Sequence, residues 1–290
     1  MIREALTDAD LEAWVAVKNA VVPNEPATVE QVRGGASATR TLLLAEEADA
    51  AVGCAIVDQS NFGNKAFTAV RVLREHRRRG IGRALAARAA EHARALGRDG
   101  VNCFVYADEP HSIAFAESYG LANVDYQLQQ ARTIAGDEAP PPLELTSLAD
   151  DRDALLERVW DEVAKDAYLD LPLPGEVTYP RDEFLREEST RADGSFVAFD
   201  DGVIVGYAGL MEHANGPATA EHGLTAVRRD HRRRGIARAL KLAQLHWAAQ
   251  NGVVELITWT QRGNEAMQSL NRSLGYRDVS KVITYQGPLP

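Results

Sequence analysis

The chain contains the same eleven-residue segment twice. Residues 75–85 read EHRRRGIGRAL and residues 230–240 read DHRRRGIARAL, so nine of the eleven positions are identical at a spacing of 155 residues. Val72 matches Val227 at the same spacing. A repeat whose period is about half of the chain predicts two copies of one domain and not a single large domain.

A proline-rich segment, AGDEAPPPL, separates the two copies. Its three successive prolines and its glycine interrupt regular structure. We therefore predict one domain over residues 1–138 and a second over residues 139–290. In each copy strand-like and helix-like segments alternate, which predicts an α/β fold in which a mixed central sheet is flanked by helices.

The apolar periodicity predicts the individual elements. In the second copy the predicted strands are residues 143–145, 196–199, 203–211, 221–227, 254–258 and 279–285. The predicted helices there are residues 150–167, 181–191, 236–250 and a segment from Asn264 to the glycine at 275. In the first copy we predict strands at 41–44, 52–57, 67–73 and 101–105, and helices at 81–96 and before Gly120.

Composition excludes several classes of function. The chain carries 42 acidic and 32 basic residues, a formal net charge of -10, whereas a nucleic-acid coat needs the opposite sign. No stretch reaches the roughly 20 apolar residues of a membrane helix, and the N-terminal residues do not resemble a secretory signal. The two cysteines, Cys54 and Cys103, cannot build a disulfide framework or a cysteine zinc site. We expect a cytoplasmic protein with no nucleic-acid partner, no membrane partner and no metal.

In both copies three arginines and a glycine lie between a strand and a helix. The first turn of a helix carries unpaired N–H groups and the positive end of the helix dipole, so arginines there favour a bound anion. Gly80, Gly82 and Gly235 allow the backbone to approach a ligand closely. The pattern predicts a pyrophosphate site in each copy. It is neither a Walker A loop nor the Rossmann glycine pattern, and a solvated arginine turn is the alternative.

The sequence Arg-x-x-Gly-x-Gly/Ala after a strand that ends in valine resembles motif A of the GNAT family of acetyl-CoA-dependent N-acyltransferases. The resemblance continues through the following helix, strand and helix in both copies, so it covers most of the chain in a tandem two-domain arrangement. It implies acetyl-CoA as cofactor, with the pyrophosphate on backbone amides of residues 233–237 and the pantetheine arm along strand residues 225–227, in a gap where that strand splays from the next. The residues implied to contact the cofactor are Val72, Arg77, Arg78, Arg79, Gly80, Ile81 and Gly82 in the first copy, and Thr225, Ala226, Val227, Arg232, Arg233, Arg234, Gly235, Ile236, Ala237, Arg238 and Asn264 in the second.

Acetyl transfer to an amine needs a base, because an alkylamine with a pKa near 10.4 is protonated at neutral pH. The resemblance implies a carboxylate on the strand before motif A, where the second copy has Glu221 beside His222 and the first copy has Ala66 and Phe67. Neighbouring strand residues point to opposite faces, so at most one of Glu221 and His222 faces the cleft. We therefore expect the second copy to be catalytic and the first to be a degenerate partner.

One position departs from the family pattern. Seven residues after Asn264, many members carry a tyrosine that protonates the leaving sulfur, whereas this chain has Asn271. A thiol with a pKa of about 8.5 is a tolerable leaving group, and Asn271 is able to donate a hydrogen bond to the sulfur or the carbonyl. The departure leaves a non-catalytic acyl-CoA-binding or regulatory module as the alternative.

The resemblance places acceptor recognition between the first two helices of the second copy. Asp170 and Tyr179 lie there, and a carboxylate with an aromatic ring suits a cationic amine. A solvated loop on an acidic protein has the same composition. The sequence thus predicts a small-molecule amine as the acceptor.

Overall fold

The computed structural model describes residues 1–172 and 181–290, and its internal contacts divide the chain into two compact units. Among the described residues, unit 1 comprises residues 1–126 and 282–290, and unit 2 comprises residues 127–172 and 181–281. Each unit is a mixed β-sheet with helices on both faces, as the sequence predicts. The boundary predicted between residues 138 and 139 marks where the first sequence copy ends and the second begins, and it stays a prediction.

The elements follow the same order in each copy. The strands are β1 (Ile2–Glu4), β2 (Thr41–Glu47), β3 (Ala50–Gln59), β4 (Lys65–Val72), β5 (Gly100–Tyr106), β6 (Ala122–Thr133), β7 (Thr146–Ser147), β8 (Phe196–Asp200), β9 (Val203–Glu212), β10 (Thr219–Val227), β11 (Glu255–Gln261) and β12 (Arg277–Pro288). The helices are α1 (Asp8–Val21), α2 (Val29–Gly34), α3 (Ile81–Ala95), α4 (Pro110–Glu117), α5 (Arg152–Val159), α6 (Lys165–Leu169), α7 (Arg181–Glu187), α8 (Ile236–Gln250) and α9 (Glu265–Ser273).

In unit 1 the strand order is β1-β2-β3-β4-β5, and residues 282–288 of β12 complete the sheet by antiparallel pairing with β5. Helix α1 covers one face, where Trp14 and Val17 pack on Leu44. Helix α3 covers the other face, where Leu85 packs on Leu43. The sheet therefore has a hydrophobic layer on each side.

In unit 2 the strand order is β7-β8-β9-β10-β11, and residues 127–133 of β6 complete the sheet by antiparallel pairing with β11. Leu156 of α5 and Phe184 of α7 pack on one face beside Tyr207. Leu240 and Leu245 of α8 pack on the other face. This arrangement holds β10 in the middle of the sheet with its last residues at the first turn of α8.

Three predicted elements differ from the structure. The strand predicted at residues 143–145 is wrong, and the strand in this region is the short β7; Leu143 is exposed, so its side chain contributes nothing to the core. The helix predicted at 181–191 ends at Glu187, before Ser189 adopts a positive φ of 55°. The helix predicted at 150–167 is present, but the five residues Trp160–Ala164 form a π-helical turn between α5 and α6. In the described residues no helix is both long enough and apolar enough to cross a membrane.

Candidate functional site

A gap opens between β10 and β11. The two strands are parallel and pair only at residues 219–221 with residues 255–257, the last pair being Glu221 with Ile257. Beyond that pair β10 continues to Val227 and β11 to Gln261, while β10 stays paired to β9 on its other side. A β-bulge lies between His222 and Thr225, where the register with β9 shifts. The splay that the family resemblance implies is therefore present, with an unpaired strand edge able to hydrogen-bond an extended ligand.

Unit 1 contains the matching gap. Strands β4 and β5 pair only at residues 65–67 with residues 100–102. From there β4 runs on to Val72 and β5 to Tyr106. Both copies thus combine a splayed pair of parallel strands with the arginine-glycine turn.

The turn after β10 adopts a conformation in which its backbone amides are free. Arg233 has a φ of 62° and Gly235 a φ of 86°, and α8 begins at the next residue without a side-chain cap. In the described part of the chain, no backbone N–H from residue 233 to residue 238 donates a hydrogen bond to the protein. Six amides without acceptors at the positive end of a 15-residue helix form an anion-binding site.

The turn before α3 has the same geometry. Arg78 has a φ of 64° and Gly80 a φ of 86°, and Gly80 likewise lacks a side-chain cap hydrogen bond. Gly82 lies in the first turn of α3 facing Phe115, whose ring would be 3.5 Å from an added Cβ. The preceding residue, Ile81, packs on the hydrophobic cluster beneath α3.

Most of the arginine side chains contact protein groups. Arg232 donates through Nε to the Val227 carbonyl at 3.0 Å and through Nη2 to Asp170 at 2.6 Å, and Arg229 also pairs with Asp170 at 2.6 Å. These ion pairs, that with Arg229 first, lower the pKa of the Asp170 carboxyl to about 2. Asp170 therefore links the side chains of Arg229 and Arg232 in the segment between β10 and α8. Tyr179, the other residue predicted to contact the acceptor, lies outside the described residues.

Unit 1 repeats this use of the arginines. Arg77 donates through Nε to the Val72 carbonyl at 3.0 Å, as Arg232 does to Val227. Arg79 pairs with Glu47 at 2.9 Å. The first arginine of each triplet thus stabilises the end of its strand.

The remaining cofactor residues of unit 2 surround the gap and the turn. Thr225 places a buried Oγ1 that has no hydrogen-bond partner in the described part of the chain. Asn264 is the N-cap residue of α9, yet its side chain makes no cap hydrogen bond. Three other residues contact the surrounding protein: Ala226 packs beside α5, Ile236 packs on the sheet and Arg238 donates to Ser273 Oγ at 3.0 Å. Ala237 is half-buried, and Arg234 donates to the Asp230 carbonyl at 2.9 Å.

Glu221 lies at the point where the gap opens. Its backbone forms the last pair of the β10/β11 ladder. Its side chain keeps 25% of its surface exposed, and Oε2 lies 3.9 Å from Nε2 of His213. A partly accessible carboxylate at the end of the paired strands is in position to contact a group that enters the gap.

His222 points away from Glu221 into the interior beneath α8. The ring is 4% exposed, with Nδ1 2.8 Å from Gln244 Oε1 and Nε2 2.5 Å from the Tyr276 hydroxyl. Because Gln244 donates its amide to the Gly209 carbonyl, we assign the ring proton to Nδ1, which leaves Nε2 to accept from Tyr276. Burial, followed by the charge of Lys241, holds the pKa of His222 well below its usual value. The structure therefore does not bring His222 to the face that carries Glu221.

Asn271 is fully buried on α9. Its amide nitrogen donates to Gln130 Oε1 at 2.8 Å, and Gln130 in turn donates to Asp278 at 2.8 Å. The Asn271 oxygen is buried with no donor in the described part of the chain. A buried polar atom without a partner is uncommon in native proteins and needs an ordered water or a functional role to account for it.

Sequence reasoning missed Glu188, which lies on the Glu221 face of the sheet. One carboxylate oxygen accepts the Leu224 N–H at 3.0 Å, at the β-bulge, and the other accepts the Tyr207 hydroxyl at 3.0 Å. A Cβ on Gly209 or Gly223 would lie 2.3 Å or 2.2 Å from Glu188 Oε2, so both glycines are needed for the carboxylate to fit. Burial raises the pKa of Glu188. Isolated glycines inside two strands were the available signal, because they indicate a bulge or a close approach.

A cavity of about 500 Å³ lies beside the end of β10. Its walls carry carboxylates from the π-helical turn and α6, namely Asp161, Glu162 and Asp166. Arg228, Arg229 and Arg232 line the other side. The cavity therefore presents both charge signs next to the amides of the turn.

Comparison with known proteins shows which family shares these features. A family model described as the acetyltransferase (GNAT) family matches residues 4–121 and 158–276. The mycothiol acetyltransferase of Kocuria rhizophila is 27% identical over 280 residues, which are 91% of this chain and 89% of that protein. The mycothiol acetyltransferase of Clavibacter sepedonicus is 30% identical and covers 87% of this chain and 82% of its own length.

Solved structures share the whole fold. A tandem GNAT protein from the clavulanic acid biosynthesis pathway superposes with a TM-score of 0.78 at 21% identity, over 100% of this chain and 99% of that one. A GCN5-related N-acetyltransferase from Sphaerobacter thermophilus gives a TM-score of 0.76 at 20% identity, over 100% and 95%. At these identities the likeness concerns the fold.

Proposed function

Because this chain belongs to the GNAT family of acetyltransferases, we propose that unit 2 transfers the acetyl group of acetyl-CoA to the amine of a small molecule, with Glu221 as the base. The observation that carries the proposal is the position of Glu221 at the last paired residue of β10, where the gap between β10 and β11 begins. The corresponding position in unit 1 is Ala66, which has no proton acceptor in its side chain.

The groups around the gap fit coenzyme A. The free amides of residues 233–238 suit its pyrophosphate, because they combine unpaired donors with the positive end of α8. The unpaired edge of β10 and the Thr225 hydroxyl suit the amide groups of the pantetheine arm. When bound, acetyl-CoA supplies the acetyl group as an activated thioester.

The residues of unit 2 then have separate tasks. Glu221 removes the proton that an alkylamine with a pKa near 10.4 carries at neutral pH. Glu188, at the bulge, holds the Leu224 amide and so fixes the bend of β10 beside the base. Asp161 and Asp166 line the adjoining cavity, where their carboxylates can pair with the charge of a cationic acceptor.

The relatives favour one class of acceptor. The mycothiol acetyltransferases of two organisms match along most of this chain and along most of their own length. We therefore propose that the acceptor is an amine chemically related to mycothiol. A panel of amines that includes this type, amino acids and aminoglycosides, assayed by release of free CoA, tests the assignment. Tight binding of acetyl-CoA without turnover of any acceptor would favour a non-catalytic acyl-CoA-binding module.

Replacement of Glu221 by Gln tests the base. The change keeps the shape of the side chain and removes its ability to accept a proton, so kcat/KM at pH 7 should fall about a hundredfold or more. The loss should shrink at high pH, where the free amine exists without help, and the affinity for acetyl-CoA should stay the same.

Glu212→Gln is the matched control, because Glu212 is an exposed glutamate on the neighbouring strand, opposite Ala220. It should leave kcat/KM unchanged at every pH. Equal activity of Glu221→Gln and Glu212→Gln would remove Glu221 from the mechanism.

A further inference from the structure

The gap of unit 1 carries positive charge that the protein itself does not neutralise. Lys18 on α1 is only 8% exposed, and Arg71 on β4 has a buried Nη1 without a hydrogen-bond partner in the described part of the chain. Within the same residues neither side chain forms an ion pair of 4 Å or less. A buried cation without a partner is strongly unfavourable unless something compensates it.

The two cations lie close to each other. The Arg71 guanidinium lies 5.8 Å from the centre of the Trp14 ring, and Trp14 and Lys18 are one turn apart on the same face of α1. Burial, and next the charge of Arg71, lower the pKa of Lys18. Cys54 on β3 lies directly opposite Arg71 on β4 in the pairing of these two strands.

One carboxylate faces this pair. Glu25 accepts a hydrogen bond from the Tyr106 hydroxyl and interacts electrostatically with Lys18. Asp108, the other acid near Tyr106, is exposed to solvent. Buried Lys18, half-buried Arg71 and half-buried Glu25 together leave a net positive charge at this position, which is the requirement for binding one anionic group.

The cluster stands at the open end of the gap. The pairing of β4 with β5 ends at Phe67 and Asn102, and Arg71 and Tyr106 each lie four residues further along their strands. At the repeat spacing of 155 residues, Arg71 corresponds to Ala226 in unit 2, so the charge is a feature of unit 1 alone. It is therefore not a shared part of the core.

We propose that unit 1 binds a carboxylate-bearing ligand at the mouth of the β4/β5 gap, held by Lys18 and Arg71. A carboxylate fits because it brings one negative charge and two acceptor oxygens, which match the fork of an arginine and the adjacent ammonium group. The carboxylate is either that of a free small acid or the end of an acyl chain on CoA, since the amides before α3 lie at the end of the same strand. The site is distinct from the proposed reaction in unit 2 and does not depend on it.

Calorimetry on the full-length protein distinguishes the two sources. Succinate is the probe for a free acid, succinyl-CoA the probe for an acyl end, and acetyl-CoA the reference without a carboxylate. Lys18→Met and Arg71→Met should each weaken binding of the carboxylate probe about tenfold or more, without changing the affinity for acetyl-CoA. Lys65→Met, a change at the far end of β4, should alter none of the affinities.

Stability gives a second, independent measurement. Because Lys18 is a buried cation whose charge Glu25 offsets only in part, Lys18→Met should raise the thermal midpoint of the ligand-free protein, and the probe should raise the midpoint of the parent protein but not of the variant. Arg71→Lys keeps the charge and should retain most of the binding, which separates a loss of charge from a failure to fold. The proposal is overturned if neither succinate nor succinyl-CoA binds, or if both bind equally well to Lys18→Met and the parent.

Discussion

Replacement of Gly235 by alanine tests whether the turn before α8 serves the reaction. Gly235 has a φ of 86°, and no atom lies within 4 Å of the Cβ that alanine would add. The change therefore causes no collision, and its whole effect is the strain of an L-residue in the left-handed region. That strain is about 1–2 kcal/mol, which corresponds to about a 5–30-fold change in an equilibrium constant.

The strain must appear in one of two measurements. If the turn keeps its conformation, the free energy of unfolding falls by this amount. If the turn relaxes, the amides of residues 233–238 change direction and the KM for acetyl-CoA rises by the corresponding factor. Urea unfolding together with steady-state kinetics over a range of acetyl-CoA concentrations captures both.

Gly80→Ala is the matched control, because Gly80 has the same φ of 86° and equally empty surroundings in unit 1. It should cost similar stability and leave the KM of the acetyl-transfer reaction unchanged. An equal rise in KM for Gly80→Ala would refute the assignment of the reaction to unit 2. If Gly235→Ala changed neither stability nor KM, the reasoning about the turn would be wrong.

Two further predictions concern the interior of unit 2. Burial lowers the pKa of Lys241 to about 7 from 10.5, so between these pH values the unfolded chain holds a proton that the folded chain does not, and stability should rise with pH by about 1 kcal/mol per unit. Lys241→Met should remove that slope in urea unfolding at pH 7.5 and 9.5, and an unchanged slope would assign it to another group. Gly223→Ala would place a Cβ 2.2 Å from Glu188 Oε2 and should cost about 1–3 kcal/mol in thermal unfolding, because the carboxylate must leave the Leu224 amide. Gly34→Ala, with no atom within 4 Å and an ordinary φ, should cost nothing; equal effects of the two changes would contradict the close approach at Glu188.

The repeat and its apolar periodicity predict the fold because both can be read from the sequence without knowing how the chain packs. The strand at 221–227 and the helix from Ile236 lie where the spacing of apolar residues places them. The capping box at the start of α1, formed by Thr7 and Asp10, is a local signal of the same kind.

Which residues come together at each site depends on tertiary packing, and a local sequence pattern does not reveal this packing. Glu188 reaches β10 from the end of α7 and meets a strand residue 36 positions away. Lys18 and Arg71 are 53 positions apart, and each looks like an ordinary surface charge in the sequence. The ion pairs of the arginine side chains could not be predicted for the same reason, because their partners Asp170 and Glu47 come from distant segments.

A crystal structure of the Glu221→Gln protein with acetyl-CoA and an amine acceptor tests most directly whether the reaction takes place in unit 2. The pyrophosphate should lie on the amides of residues 233–238 and the thioester between β10 and β11, with the acceptor nitrogen within direct or single-water hydrogen-bond reach of residue 221. A thioester remote from residue 221, or acetyl-CoA bound in unit 1 alone, would contradict a reaction in unit 2.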